Sequence, residues 1–364
     1  MKANLKTSFQ KRGQEGFTLV ELLCSIIIFT IVIGSIYALM AVARTDRNMS
    51  SERSDLMKQL RYTMNLMGRD ALNAGYSYQK NGAVVPDNFL ATRLGVNTDI
   101  DTNRDLLVGV VSGNNIFTNS LQDPANLQRT DVISFVYRDI SFNPDTLTNT
   151  SRTLSVSSTV ADTGDIARII LSAGNTTSVC NVNDLFLLES QNSALLLMAT
   201  AIPSSTSIQF ANGDPLGVNQ TYTQSILRPC ANPDDQNCMD YPASIKRVYW
   251  VSFKVKDDGT LLRIIYGNNG NSTTQIQEQP LAYGIENLQI KYLMEDGTVT
   301  DDPAAGADGI LGTTDDTPVN LNLVRQVQFT ATAKGNDIDP RTGKVNRITM
   351  SATFSTRNMG YDVG

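Results

Sequence analysis

Two acidic stretches of this chain have the residue types and the spacing to hold a hard cation. In NTDIDTNRD, Asp99, Asp101, Asn103 and Asp105 fall at alternate positions, an order that can wrap a cation in a loop. EDGTVTDDPAAGADGILGTTDDTP sets Asp296, Asp301, Asp302, Asp308, Asp315 and Asp316 among glycines. Hard oxygen ligands on flexible backbone suit Ca²⁺, which takes about 6–8 oxygens. The second stretch lacks the EF-hand order of alternating acids, a glycine and a closing glutamate. The plainer reading of both is a solvated polar loop, so Ca²⁺ is a candidate cofactor and no more. Cysteine chemistry is the other option. Cys230 and Cys238 flank the turn-forming stretch ANPDDQN and are the candidate disulfide pair in an oxidising compartment. Cys180 would then be left over, although the two other pairings stay open. Cys24 lies inside an apolar run, and no CxxC occurs.

Catalysis finds little to work with. The chain has no histidine, which removes Ser-His-Asp triads, HExxH zinc sites and every His-ligated metal. No Gly-rich phosphate loop follows a strand, and paired carboxylates occur only in the acidic loops, where no apolar cleft is implied to shift a pKa. The expectation is a protein that is not an enzyme. Nucleic-acid binding is not expected either. The net charge is −6, and the basic residues Lys2, Lys6, Lys11 and Arg12 gather ahead of Phe17 with no basic stripe beyond.

One further acid stands where chemistry must explain it. FTLVELLCSIIIFTIVIGSIYALMAVA, residues 17–43, is long enough to cross a bilayer and carries Glu21 near its start. A cleaved secretory signal would have a shorter apolar core, followed by small residues at the cut. A plain anchor fits the length, and Lys11 and Arg12 would keep the N-terminus cytoplasmic. Neither gives the acid a purpose, and a carboxylate at mid-membrane costs about 2.5–3.5 kcal/mol on insertion scales.

The string KRGQEGFTLVEL resembles the type IV prepilin motif: a short basic leader, then Gly, Phe, Thr, Leu, Val, Glu and a long apolar helix. The resemblance implies that a prepilin peptidase cuts after Gly16 and N-methylates Phe17. Glu21 then becomes an assembly residue, placed one turn from the new ammonium of its own or a neighbouring chain. Within an apolar bundle a paired charge is tolerable and an unpaired one is not. The C-terminal third, YWVSFKVKDDGTLLRIIYG, QPLAYGIENLQIKYLMEDG, VRQVQFTATAK and ITMSATFSTRN, together with DALNAGY at 70–76, is similar to PilW-type minor pilins. The minor pseudopilin J of type II secretion shares part of this layout. This likeness implies a structural subunit that promotes pilus assembly or acts at a pilus tip, where adhesion is also suited. Its implied partners are other major and minor pilins, the inner-membrane assembly platform and the peptidase. The precursor would cross the bacterial inner membrane once, with its head in the periplasm, before moving to the pilus at the cell surface. Many major pilins bend the membrane half of the helix with a proline, where this chain has Ala38. A pseudopilin of type II secretion and a permanently anchored, Ca²⁺-dependent binding protein are the alternatives.

The elements that must position these residues are set by periodicity. Beyond Ala43 an apolar stripe of Met49, Leu56, Leu60, Thr63 or Met64, Met67, Ala71 and Ala74 recurs at helical spacing. Arg47, Glu52, Asp55, Lys58 and Arg69 are assigned to the opposite face. No proline occurs before Pro86, so one helix from about Phe17 to Ala74 is expected, with Gly75 as its stop. After that the chain reads as strands at 132–139, 166–172, 185–190, 247–255, 261–267, 285–295, 324–334 and 348–358, with a hairpin turn at KDDGT, 256–260. Segment 141–163 reads as a loop or a weak strand pair, 212–237 as irregular, and 191–210 as either a short helix or a strand. The expected organisation is a leader (1–16), a membrane or filament-core helix half (17–43), an amphipathic half laid on a sheet (44–75) and a β-rich head (76–364). The fold class is thus α+β and pilin-like: a long N-terminal helix packed on a large antiparallel β-rich globular domain.

Overall fold

The computed structural model describes residues 16–96, 99–101, 104–122, 128–143, 153–161, 166–191, 193–221, 225–232, 237–270, 272–304, 318–339 and 342–359. Helix α1 spans Leu19–Asn73, about 80 Å at 1.5 Å per residue. It behaves as two halves. The segment to Ala43 is exposed or half-exposed throughout, whereas Leu56, Leu60, Thr63, Met64, Met67 and Ala71 are buried. Each buried Leu or Met is worth about 1.5–3 kcal/mol of transfer free energy, so the second half is fixed to the head by its stripe. Gly75 ends the helix as expected. It takes φ +73°, where a side chain would be strained, and its N–H donates to the Val136 carbonyl at 2.9 Å. The Asn358 side-chain amide satisfies the Leu72 carbonyl at 2.8 Å.

The head begins with β1 (Ala83–Pro86), α2 (Phe89–Leu94), β2 (Asp99–Asp101), β3 (Arg104–Leu107) and β4 (Val110–Phe117). It continues through β5 (Thr130–Arg138), β6 (Leu154–Ala161), β7 (Ile166–Leu171), β8 (Leu185–Glu189), β9 (Ala194–Met198), β10 (Ala201–Ser204) and β11 (Ser207–Ala211). The last third holds β12 (Ala243–Val255), β13 (Leu261–Tyr266), β14 (Ile276–Ala282), β15 (Ile285–Met294), β16 (Val299–Thr300), β17 (Val324–Ile338) and β18 (Val345–Ser355). Pairing is antiparallel except between β1 and β9. The result is a long helix on an antiparallel-rich β domain, the expected α+β pilin-like fold.

Strand β12 organises the larger sheet. Its first residues pair with β6 and β8, and from Val248 onward it pairs with β5 and β13. Alternate residues of β12 around Trp250 face two different buried cores. Val248 and Trp250 face a core with Phe89, Leu90 and Tyr266, where the Trp250 and Tyr266 rings stack at 3.8 Å. Val251, Phe253 and Val255 face the core around α1. A second sheet, ordered β16-β15-β17-β18, closes that core from the other side. A third core lies between β6, β7, β8, β9 and β11.

The KDDGT turn forms the β12–β13 hairpin, with Lys256 donating to Thr260 and Gly259 at φ +77°. The undecided segment 191–210 holds β9, β10 and most of β11 rather than a helix. Within 141–163, Leu154–Ala161 is a full strand, because Leu154 and Val156 face the third core. In 212–237 the buried Asp214 carboxylate organises the backbone, accepting from the amides of Leu216, Val218 and Asn219.

Candidate functional site

The N-terminal site is built by the helix start. Thr18 is the N-cap residue, and its hydroxyl accepts from the Glu21 amide at 3.3 Å. The Glu21 carboxylate reaches back to the Thr18 amide and hydroxyl, both at 3.0 Å. This reciprocal pair satisfies donors that the first helical turn leaves open. Sequence reading gave Glu21 one role, as partner of an ammonium. The structure adds a second: it closes the helix cap from within its own chain. Gly16 has open space around its Cα, and Phe17 is 82% exposed. The bond between them is therefore unobstructed. Beyond the cap, none of the most apolar stretch of α1 is covered by the head, so that half is free to meet lipid or other helices. Ser25, Thr30 and Ser35 turn their hydroxyls onto carbonyls three or four residues back, which hides their polarity from an apolar surrounding.

Among the described residues the acidic stretches are not gathered into one site. Asp105 is fully buried and accepts from the Leu90 amide at 3.1 Å, supporting the start of α2. Asp99 and Asp101 belong to strand β2, paired with β3, and Asn103 lies outside the described residues. Asp296 closes a tight turn on the Thr298 amide and hydroxyl, and these bonds hold its carboxyl below its usual range. Asp301 pairs with Lys291 at 3.3 Å, while Asp302 accompanies the buried Asp131. Asp308, Asp315 and Asp316 lie outside the described residues. Among the described residues no group of three His, Cys, Asp or Glu side chains is placed to hold a metal ion. Cys230 and Cys238 are joined as a disulfide, Cys180 is buried and free, and Cys24 is free on the exposed helix half.

Sequence reasoning missed the groups that fasten the helix to the head. Asp70 is fully buried in the apolar stripe and accepts from Arg263 Nε at 2.8 Å and from the Tyr137 hydroxyl at 3.1 Å. Burial and this carboxylate push the Tyr137 phenol upward. Glu52, assigned to the solvent face, instead meets the end of β17. Its Oε1 accepts from the amides of Asn336 at 2.6 Å and Asp337 at 3.2 Å. Both acids stand three or four residues from stripe positions, Asp70 from Met67 and Glu52 from Leu56, and that spacing was the available signal. Asp131, also missed, joins the two sheets instead. It accepts from Asn115 and Ile290, both at 2.7 Å, and so ties β4 of the large sheet to β15 of the small one. Burial pushes its carboxyl up to about 6.

The prokaryotic N-terminal methylation motif matches residues 11–37. The comparison with curated proteins found no match, and neither did that with solved structures. The match takes in Lys11 and Arg12 in sequence, together with Gly16, Phe17 and Glu21 at the open start of α1 and most of the apolar run. Motif, uncovered apolar helix and β-rich head together support a membrane-anchored precursor that is type IV pilin-like or pseudopilin-like.

Proposed function

We propose that this chain is a minor pilin of a type IV pilus. A prepilin peptidase cuts it after Gly16 and N-methylates Phe17, and it joins the filament through the uncovered half of α1. The observation that carries this reading is the division of one continuous helix. Residues 56–71 bury their stripe in the head, while the apolar segment within the methylation motif is left uncovered by the described residues. Such a segment is stable only in lipid or against other apolar helices. Cleavage creates an ammonium at Phe17, one helical turn from Glu21. Inside a helix bundle that charge needs a carboxylate, from its own chain or a neighbour, and the requirement sets the stagger at which one helix docks beside another. The large head and Ala38 in the membrane half favour a minor subunit that initiates assembly or caps a tip.

Intact mass and N-terminal sequencing of the protein from its native membrane test the reading. The expected product begins at N-methyl-Phe17. A Glu21→Ala variant should be cut normally but fail to enter filaments. A chain that keeps its leader in cells with an active peptidase would overturn the assignment.

A further inference from the structure

Every strand at a sheet edge must deal with its unpaired amides and carbonyls, and the edges of this head do so differently. On one flank of α1, β14 carries Pro280 and Glu278, the latter paired with Lys256 at 2.8 Å. Proline cannot donate, and charge deters a new strand. β10 holds Pro203, β2 and β16 are three and two residues long, and β4 is covered by the turn Pro318–Leu323. On the other flank, β18 has no proline, and its one charge, Arg347 near its start, is paired with Glu286 at 2.7 Å. It is 11 residues long and, among the described residues, ends its sheet and pairs with β17 alone. From Ile348 to Ser355 it contains no charge, proline or glycine. Its outward Thr349, Ser351 and Thr353 are exposed. Its inward Met350, Ala352 and Phe354 are only partly buried, at the rim of the core around α1.

We propose that the β18 edge docks an extended strand from the head of a neighbouring membrane-anchored subunit, which adds a fifth strand to the β15–β18 sheet. The inference rests on the pilin reading above. The course of β18 supports it. The Asn346 amide reaches the Met49 carbonyl at 3.3 Å, and the Phe354 ring lies against Gly68. β18 therefore runs beside α1 and in the same direction, outward from the membrane-proximal end of the head. A neighbour whose helix packs beside residues 19–43 brings its own head along this edge.

The same geometry excludes one occupant. Symmetric antiparallel pairing of two β18 edges would set the two α1 helices in opposite directions, and both must leave one membrane the same way. The docked strand is thus not a second β18, and the other edges of this head are blunted; we assign it to a different subunit, running toward the membrane. It presents apolar side chains at alternate positions, which complete the rim over Met350 and Phe354. Its other side chains are uncharged and extend the Thr and Ser face. Main-chain bonds would supply affinity and the rim would supply specificity, as in other strand-addition complexes.

The test places a photo-crosslinking amino acid at Thr349, Ser351 or Thr353 of the full chain in its native cells. Ile276 and Glu278 on β14 serve as control sites. The N-terminus is sequenced in the same sample. The expected result is an adduct with a different helix-anchored subunit from the β18 sites and none from the β14 sites. A chain correctly beginning at Phe17 that gives no adduct, equal adducts from β14, or only an adduct with a second copy of itself overturns this inference alone. A chain that retains its leader overturns the pilin reading and this inference with it.

Discussion

Removing Asp70 should damage the joint between helix and head more than any other single change to a charged residue. Its carboxylate is fully buried, and Arg263, which holds it at 2.8 Å, is only 8% exposed. In Asp70→Ala the guanidinium stays buried with Gln279 Oε1 at 3.3 Å as its remaining side-chain acceptor, and Tyr137 loses its acceptor. Stranding one partner of a buried pair costs about 3–5 kcal/mol. Replacing both, as Asp70→Leu with Arg263→Met, removes the stranded charge and should cost much less, because apolar substitutes for a buried pair are often near neutral. Urea unfolding of the full chain in detergent micelles reads this through Trp250, the one tryptophan, which is buried beside α2. With a slope of about 3 kcal/mol per M, the midpoint of the single variant falls by about 1–1.7 M. The exposed pair Lys58–Asp55 is the control, expected to move the stability by about 0–1 kcal/mol. If Asp70→Ala behaves like that control, or if the double variant is weaker than Asp70→Ala, the reasoning is wrong.

Four further outcomes rest on the packing. Asp131 carries a carboxyl raised from 3.8 to about 6 by burial; its contribution to stability is therefore full below about pH 4 and lost as the pH rises through 6. The cost of Asp131→Asn should accordingly shrink between pH 4 and 7 by as much as about 3 kcal/mol, and a cost that stays level or grows in paired melts would refute this. Gly68→Ala improves helix propensity by about 1 kcal/mol, yet a Cβ there would collide with the Phe354 ring. Overpacking of about 1–3 kcal/mol should win, so a raised melting temperature would contradict the contact. Opening the Cys230–Cys238 bridge, whose cysteines are 8 residues apart, should cost about 2.5 kcal/mol on loop entropy, seen as a lower melting temperature under reductant. Cys180, buried with its thiol pushed up to about 12, should resist alkylation until the chain unfolds.

The sequence by itself determined what depends on short-range pattern. The long proline-free helix, its Gly75 stop, the methylation motif, the DDG hairpin and the main strands of the last third are all written in neighbouring residues. Local chemistry sets helix and turn, and period-2 alternation sets a strand. Only the tertiary structure decided what depends on the partner. Segment 191–210 became strands because β8 and β7 offered edges to pair with, a fact its own residues do not record. The alternation of β12 could not say that both of its faces would be dry, because that comes from lying between two cores. Glu52 and Asp70 look alike in sequence as acids on a helix; one meets two amides at the end of β17 and the other an arginine 193 positions away. Glu21 is the converse case. Its spacing from Phe17 and Thr18 is local, so both its cap and its proposed role in assembly are carried by neighbouring residues, whereas the open edge of β18 exists only because the fold leaves that strand last in its sheet.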